Sequence, residues 1–367
     1  LQADLETPLS VYLKLAHGPN SYLFESVQGG EKWGRYSLIG LQTSTVLKVY
    51  GQRLEIIRDG KPMVNRQTQD PLAEVERFRK LFSMPDLPEL PRFTGGLVGY
   101  FGYDTVRFVE PRLAASAPKD QLHTPDILLM ASDEVAIFDN LSGTLMLVVH
   151  VDAAESNGLQ NAIKRLDQLE AKLSDPLPVL PAMNDSESDL TEDSFASSFG
   201  RSEFMTAVDN IKEYIMAGDA MQVVPSQRLS APFKGSPLNL YRALRRLNPS
   251  PYMYYLNLDD FYIVGSSPEV LARLEDGQVT VRPIAGTRRR GLTNEEDLAM
   301  EQEMLDDPKE IAEHLMLIDL GRNDVGRISK TGTVEVTEKM VVERYSHVMH
   351  ITSNVVGDVK DDMGPIE

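Results

Sequence analysis

The stretch DILLMASDEVAIFDNLSGTLMLVVHV, residues 126–151, decides the fold class, because its apolar runs predict two or three successive strands. The segments before it also have strand patterns. RYSLIGLQTSTVLKVYG is followed by QRLEIIRDGKPM, in which Asp59-Gly60 is a hairpin-turn signal. The glycine-rich run RFTGGLVGYFGYD, residues 92–104, predicts a strand that another backbone or a ring approaches closely.

Two helices are predicted around the middle of the chain. Apolar residues at positions 159, 163, 166, 169 and 173 recur at helical spacing. A second helix begins behind Ser202, its predicted N-cap, and ends near Gly218. Between them, residues 174–200 are rich in proline, serine and acidic residues and predict a linker.

The last third of the chain predicts a strand meander followed by helices. The strand-like runs lie at 221–232, 252–258, 261–266, 269–274 and 278–284. Two helices follow, with predicted capping boxes at Thr293 and Asp307. Runs of strands followed by helices, without alternation of the two, predict an α+β fold with largely antiparallel sheets. We expect three parts: an N-terminal α+β region at 1–173, the linker at 174–200 and a catalytic region at 201–367.

Composition excludes several classes of function. The 367 residues carry a net charge of −18, which argues against nucleic acid or an anionic membrane as a partner. No apolar run is long enough to span a bilayer. The sequence has no cysteine, which excludes disulfides, thiolate metal sites and thiol nucleophiles and is compatible with the cytoplasm. The start LQADLETPLS has neither a secretory signal nor an initiator methionine, so we expect an excerpt of a longer chain.

A basic turn stands out in this acidic chain. TVRPIAGTRRRG, residues 280–291, places three arginines directly after Gly286-Thr287. Backbone N–H groups and guanidinium groups together form a cradle for a carboxylate or a phosphate. A surface turn with solvated arginines is the alternative.

The helix that begins at Pro308 has apolar residues around most of its circumference, so we expect it to be buried on most sides. Glu313 would then lie among apolar neighbours, where a carboxylate must be protonated, paired or metal-bound. An ion pair with Arg322 or Arg327 is one possibility, and a Mg²⁺ ligand is the other.

Two further side chains are candidates for proton transfer. Glu269 follows Ser-Pro at the start of an apolar run, where enclosure would raise its pKa as a general acid requires. His350 and His347 fall on opposite faces of a predicted strand, so one of them faces the interior. The alternatives are a strand-end carboxylate in water and a hydrogen-bonded core histidine.

Several segments taken together resemble the chorismate-utilising enzymes. They occur in the family's order along almost the whole chain: SYLFESVQGGEKWGRYSLIG, GDAMQVVPSQR, NPSPYMYYL, VGSSPEVLARL, RPIAGTRRRG, KEIAEHLMLIDLGRND and VERYSHVMHITS. Within this family the set is similar to component I of anthranilate synthases. The resemblance implies a four-layer αββα sandwich of two largely antiparallel sheets, with helices outside.

The resemblance also implies site residues. It places Glu313 on the family's Mg²⁺ ligand, and Gly286 and Thr287 on the pair that contacts chorismate. Glu269 matches the glutamate that protonates the departing C4 hydroxyl as ammonia adds at C2. His350 matches an active-site histidine that assists the later loss of pyruvate.

Two positions distinguish members of the family. Where aminodeoxychorismate synthases carry a nucleophilic lysine, this chain has Ala285. Where isochorismate synthases carry a lysine base, it has Gln222, which we count among the substrate-binding residues. Both differences favour ammonia as the direct nucleophile. An amino-deoxy-isochorismate synthase or an aminodeoxychorismate synthase stays as the alternative.

The resemblance further implies two partners of the enzyme. Because the sequence has no cysteine for glutamine hydrolysis, ammonia would come from a separate glutamine amidotransferase subunit, commonly in a heterotetramer. L-tryptophan would bind as a feedback inhibitor. The residues that match its site are Glu25, Ser26, Asn248, Pro251, Tyr252 and Met253.

Family members continue beyond the motifs present here, with a second glutamate ligand for Mg²⁺ and with a tyrosine and an arginine that hold chorismate. These residues do not follow Glu367 in the given sequence. A tryptophan-binding module without catalysis is therefore a further alternative, and it predicts binding of tryptophan but not of chorismate with Mg²⁺.

Overall fold

The computed structural model describes residues 1–28, 32–82, 84, 87–152, 154–179 and 190–367, and these form an α+β fold with antiparallel strand pairing. Its strands are β1 (Ser21–Glu25), β2 (Val27–Gln28), β3 (Lys32–Trp33), β4 (Tyr36–Gly40), β5 (Thr45–Tyr50), β6 (Arg53–Arg58), β7 (Lys61–Gln67), β8 (Gly96–Phe101), β9 (Ile127–Ser132), β10 (Glu134–Asp139), β11 (Thr144–Val149), β12 (Ala196–Ser197), β13 (Leu229–Ser230), β14 (Tyr252–Asn257), β15 (Tyr262–Ser267), β16 (Arg273–Glu275), β17 (Gln278–Val281), β18 (Ile284–Arg289), β19 (Glu335–Arg344) and β20 (Val348–Asp358). Its α-helices are α1 (Pro8–Val11), α2 (Pro71–Arg79), α3 (Val106–Val109), α4 (Gly158–Leu173), α5 (Arg201–Ala217), α6 (Pro237–Leu247), α7 (Asn294–Asp306) and α8 (Pro308–Ile328). A π-helical segment, Tyr12–Ala16, continues α1, and short 3-10 helices lie at Tyr103–Thr105, Pro111–Leu113 and Glu192–Ser194.

Two sheets pack face to face and form the inner layers of a sandwich. One has the strand order β11-β10-β4-β1-β14-β15, and the other has the order β7-β6-β5-β9-β8. Tyr22 and Leu256 of the first sheet pack against Val46, Leu128 and Met130 of the second. Alternate side chains of a strand point to opposite faces, so each sheet also has an outer face to cover.

Helices cover both outer faces. On the second sheet, Leu47 and Ile127 pack against Val75 and Phe78 of α2. On the first sheet, the π-helical segment after α1 contacts β1 and β4, and its Tyr12 ring meets that of Tyr255 at 5.6 Å. Helix α4 packs beside β11. The predicted αββα sandwich is confirmed.

A third sheet carries the last motifs of the sequence. Its long central strand, β20, pairs with β19 on one edge and with β17 and β18 in succession on the other. Helices α7 and α8 pack on one face of this sheet, where Met304 contacts Met349 and Ile351. The alternate residues of β20, which include His350, project from the opposite face.

The described residues divide into two compact units, Leu1–Pro178 with Tyr241–Glu367, and Val179–Leu240. In the first unit, β1 pairs with β14, so residues from before and after the predicted linker share a sheet. The second unit contains α5 and the small β12–β13 ladder. The boundaries at 173 and 200 stay predictions, and linker residues 180–189 lie outside the described part of the chain. No helix within that part is long and apolar enough to cross a membrane.

Several local predictions are confirmed. Helix α4 covers the predicted positions, and Asp59-Gly60 forms the β6–β7 turn with positive φ at both residues. Gly99 lies so close to the backbone of Leu128 that a Cβ atom would collide with it. The residues at 126–151 form three strands, β9 to β11.

Other local predictions are wrong. Only 229–230 of the predicted strand at 221–232 pairs, and the 269–274 run is a strand only from Arg273. Helix α5 begins at Arg201 behind Gly200, so Ser202 is not its N-cap. Helix α8 buries one stripe rather than most of its circumference, and Leu320 is 51% exposed.

Candidate active site

Gly286 lies at a β-bulge within β18, so the predicted turn is an irregularity inside a strand. The register between β18 and β20 shifts between Ala285 and Thr287. Gly286 has φ +69°, and a Cβ atom there would lie 3.1 Å from the side chain of Ile351. A left-handed backbone and this close contact both favour glycine. The bulge turns the Gly286 carbonyl towards the side chain of His350.

His350 joins both members of the predicted chorismate-contacting pair. Its Nδ1 lies 2.8 Å from the carbonyl oxygen of Gly286 and 3.1 Å from Oγ1 of Thr287. A carbonyl oxygen only accepts, so Nδ1 carries the proton of the neutral ring and donates it. Nε2 is then the ring atom that can accept a proton.

Glu269 and Tyr345 belong to the same neighbourhood. Glu269 is exposed overall, yet partial burial of its carboxyl raises its pKa, against the opposing charge of Arg282. Burial and the Glu343 carboxylate both raise the pKa of Tyr345. The Tyr345 ring meets the His350 ring edge-on, with centroids 5.6 Å apart. Glu269 and His350 are therefore both close to Tyr345, and their roles in proton transfer stay predictions.

Two of the three arginines after Thr287 are engaged in ion pairs within the protein. Arg288 binds Glu303, Asp307 and Glu310, at distances of 3.0 to 3.1 Å. These contacts tie β18 to α7 and to the start of α8. The Arg288 guanidinium is therefore a structural clamp rather than part of an anion cradle.

Arg290 forms a second clamp with Asp297, which also accepts hydrogen bonds from Arg344 and from the N–H of Gly291. These donors hold the pKa of Asp297 well below its usual range. Arg290 also donates to the carbonyl oxygen of Tyr345, at 2.8 Å. The end of β18 is thereby fixed to the segment that precedes His350. Arg289, between the two clamps, is exposed.

Glu313 lies on α8 and is half-buried. Its neighbour His314 is fully buried against Ser353 of β20, so this part of α8 packs on the sheet face opposite to His350. Among the described residues, no group of three or more histidine, aspartate or glutamate side chains is placed to hold a metal. Mg²⁺ can be held by one carboxylate together with water and substrate oxygens, so the residue type of Glu313 is compatible with the metal, and its role as a ligand stays a prediction.

Gln222 belongs to the second unit, in a segment without regular secondary structure, and its residue is exposed. Its role as a substrate-binding residue stays a prediction.

A cavity of about 1050 Å³ in the first unit is lined by most of the residues predicted to bind tryptophan. They are Glu25, Ser26, Pro251, Tyr252 and Met253. Phe24, Leu38 and Ile263 supply apolar walls. Asn248 lies outside this lining; its carbonyl oxygen accepts a hydrogen bond from Ser266 and its side-chain oxygen accepts one from Ser346.

The Glu25 carboxylate accepts three hydrogen bonds from side chains of the protein. It is buried, accepts two hydrogen bonds of 2.9 Å from Arg245, and accepts a third of 2.6 Å from the Tyr241 hydroxyl. Burial and this contact raise the pKa of Tyr241. Glu25 therefore stabilises the wall of the cavity through its side chain.

Sequence reasoning missed Arg245, Tyr241, Arg282, Glu343 and Tyr345. The last two lie inside the quoted motif VERYSHVMHITS, four and two positions before His347. In a predicted strand, an acid and an aromatic residue two positions apart share a face, and this spacing could have singled them out, although Tyr345 directly follows the end of β19.

Comparisons with known proteins show the family of the chain. The family model described as "chorismate binding enzyme" matches residues 21–367. Anthranilate synthase component 1 of Pseudomonas putida is 58% identical over 361 residues, which are 98% of this chain and 73% of that protein. The Pseudomonas aeruginosa protein of the same name is 57% identical and is covered to 74%, with 100% of this chain aligned. The chain thus spans about three-quarters of these relatives.

A solved structure is similar over the whole chain. The crystal structure of anthranilate synthase component I from Streptococcus pneumoniae TIGR4 has a TM-score of 0.74 and 33% identity. The alignment covers 100% of this chain and 77% of the Streptococcus pneumoniae chain. With the family model and the relatives, this similarity shows that the chain belongs to the chorismate-binding enzyme family.

Proposed function

We propose that this chain is a component I of anthranilate synthase, which converts chorismate and ammonia to anthranilate and pyruvate. The proposal rests on the contacts of His350 with Gly286 and Thr287. They occur in a chain that is 58% identical to anthranilate synthase component 1 of Pseudomonas putida. A histidine with a fixed tautomer beside a carbonyl and a hydroxyl suits proton transfer on a small polar substrate.

In the first step, Glu269 protonates the C4 hydroxyl of chorismate as that group leaves. Ammonia adds at C2, the two ring double bonds move to C1–C6 and C4–C5, and the C4–O bond breaks with loss of water. The added nitrogen then loses one proton and becomes the amine. Partial burial raises the pKa of Glu269, which helps the carboxyl to keep its proton for this task.

In the second step, Nε2 of His350 removes the proton from C2. The electron pair of that C–H bond completes the aromatic ring, and the bond from the ring to the enolpyruvyl oxygen breaks. The group leaves as the enolate of pyruvate, which takes up a proton at carbon and becomes pyruvate. The Gly286 carbonyl holds Nδ1–H of His350, so the accepting nitrogen stays available.

We assign Glu313 as the side chain that would hold Mg²⁺, on the strength of the resemblance and of its carboxylate chemistry. When bound, Mg²⁺ would neutralise the ring carboxylate of chorismate. Thr287 and the Gly286 backbone would orient the ring beside His350.

Ammonia in this proposal comes from a partner glutamine amidotransferase, because the sequence has no cysteine nucleophile of its own. L-tryptophan inhibits by binding in the 1050 Å³ cavity, whose apolar wall and Ser26 hydroxyl suit an indole amino acid. We place the enzyme in the cytoplasm, where a chain without cysteine is chemically suited to the reducing environment.

Anthranilate fluorescence tests the proposal. The chain is incubated with chorismate, Mg²⁺ and ammonium at alkaline pH, with and without tryptophan, beside a version that carries the further residues of the relatives. Fluorescent product that tryptophan suppresses supports the assignment. An accumulating non-aromatic amino product would indicate an amino-deoxy-isochorismate synthase instead. If neither version consumes chorismate while tryptophan still binds, the proposed activity is wrong and the chain is a binding module.

A further inference from the structure

Three side chains form a row across the third sheet. In the β18–β20 ladder, Thr287 lies directly opposite His350, and in the β19–β20 ladder Glu343 lies opposite the same histidine. Residues directly opposite each other in antiparallel strands share one face of the sheet. Thr287, His350 and Glu343 therefore project together from the face that α7 and α8 leave open.

The Glu343 carboxylate is used at both oxygens. Oε1 forms an ion pair with Arg282, and Oε2 accepts a hydrogen bond of 2.7 Å from the Tyr345 hydroxyl. Tyr345 is only 8% exposed, and its ring stands edge-on to His350. The carboxylate thus tethers the far end of the ring that contacts the histidine.

The same tether forms part of the cavity wall. Arg282, Glu343 and Tyr345 line the 1050 Å³ cavity together with Glu25 and Ser26. A short polar chain therefore runs from the cavity to His350 through one carboxylate and one aromatic ring.

We propose that Glu343 is a positioning residue: by binding Arg282 and the Tyr345 hydroxyl with its two oxygens, it fixes the Tyr345 ring against His350. The functional part of this inference rests on the proposed role of His350. A glutamine at this position has a single amide oxygen and an NH₂ group that is itself a donor. With its oxygen towards Arg282, its NH₂ group faces the Tyr345 hydroxyl, which then loses the acceptor to which it donates.

Two variants and one control test the tether. Glu343→Gln removes the charge and replaces one of the two accepting oxygens by a donor, and Tyr345→Phe removes the hydroxyl while it keeps the ring. Glu338→Gln is the control, because Glu338 lies on the same strand, is exposed and binds only Asn354 in the described residues. Side-chain NMR of ¹³C-labelled histidine reads the field that the Tyr345 ring imposes on His350, with the signal assigned by its loss in His350→Asn.

Both tether variants are expected to shift the His350 ring signals, and the control to leave them in place. In the turnover assay, kcat of Glu343→Gln should fall by about tenfold or more, with a smaller change in KM for chorismate, because a displaced proton acceptor slows the chemical step. Unchanged His350 signals in both folded tether variants would overturn the proposal. The NMR measurement does not need turnover. An inactive wild-type chain would therefore count against the proposed function, and the His350 ring signals would still decide whether the tether exists.

Discussion

His350 donates its Nδ1–H to the carbonyl oxygen of Gly286 over 2.8 Å, at a β-bulge where Gly286 has a left-handed backbone conformation. A backbone group thus selects the tautomer of the candidate catalytic ring. A carbonyl fixed in a sheet is a rigid partner, since moving it would disrupt neighbouring ladder hydrogen bonds. The bulge is therefore as much a part of the site as the histidine itself.

Gly286→Ala should lower the free energy of unfolding by about 1–3 kcal/mol, the usual cost of holding a non-glycine residue in the left-handed region. The added methyl group would also press on Ile351. Gly277→Ala is a matched control, because Gly277 has φ +76° but no atom within 4 Å of an added Cβ. Urea unfolding of both variants separates backbone strain from contact. An equal loss of unfolding free energy in both variants would show that the contact with Ile351 contributes nothing.

Glu269→Gln should stabilise the protein at neutral pH and have less effect near pH 4. Burial raises the folded-state pKa of Glu269, so the folded protein holds this proton more tightly than the unfolded chain. The penalty of ionising the carboxyl is absent below the unfolded pKa of about 4.3 and grows as pH rises through the folded pKa. Chemical unfolding at the two pH values, with Glu338→Gln as control, measures the difference. A stabilisation that does not depend on pH would contradict the burial argument.

Glu25→Ala should destabilise the protein by about 1–3 kcal/mol, because it removes the buried acceptor of two hydrogen bonds from the half-buried Arg245. It also removes the acceptor of the Tyr241 hydroxyl. Ser26→Leu, one residue away, should instead relieve tryptophan inhibition and leave turnover unchanged. Thermal unfolding and inhibition curves distinguish these roles. Inhibition that is intact in Ser26→Leu would remove that residue from the inhibitor site.

Arg288→Gln should lower the free energy of unfolding by about 1–2 kcal/mol, because three carboxylates lose their shared cation. Arg289→Gln, at the exposed next position, should stay within about 0.5 kcal/mol of the parent. Equal effects of the two substitutions in guanidinium unfolding would show that the ion pairs at Arg288 contribute nothing specific.

Glu313→Gln should abolish the Mg²⁺-dependent part of chorismate binding, because a neutral amide is a poor ligand for Mg²⁺. Asp319→Asn is a suitable control on the same helix, since Asp319 is exposed and pairs locally with Arg322. Calorimetric titration of chorismate with and without Mg²⁺ gives the two affinities whose ratio measures the Mg²⁺-dependent part. Retained Mg²⁺ dependence in Glu313→Gln would assign the metal to other residues.

Features encoded over a few residues could be predicted from the sequence. The Asp59-Gly60 turn, helix α4 and the caps at Thr293 and Asp307 depend on local φ preferences and local hydrogen bonds. The motif around Gly286 and Thr287 pointed to the site by resemblance, and the structure brings His350 to it.

Burial and long-range pairing were decided by the tertiary structure. Periodicity suggested that α8 is enclosed, but it records only which faces are apolar and not which of them meets another element. The partner of Glu25 is Arg245, 220 residues further along the chain, and the partners of Arg288 lie on two helices. The sequence by itself determined the antiparallel α+β class, the N-caps at Thr293 and Asp307 and the motifs of the site. Which arginines are clamps, which carboxylate tethers Tyr345 and which face of the sheet carries His350 depend on distances that exist only once distant strands have paired.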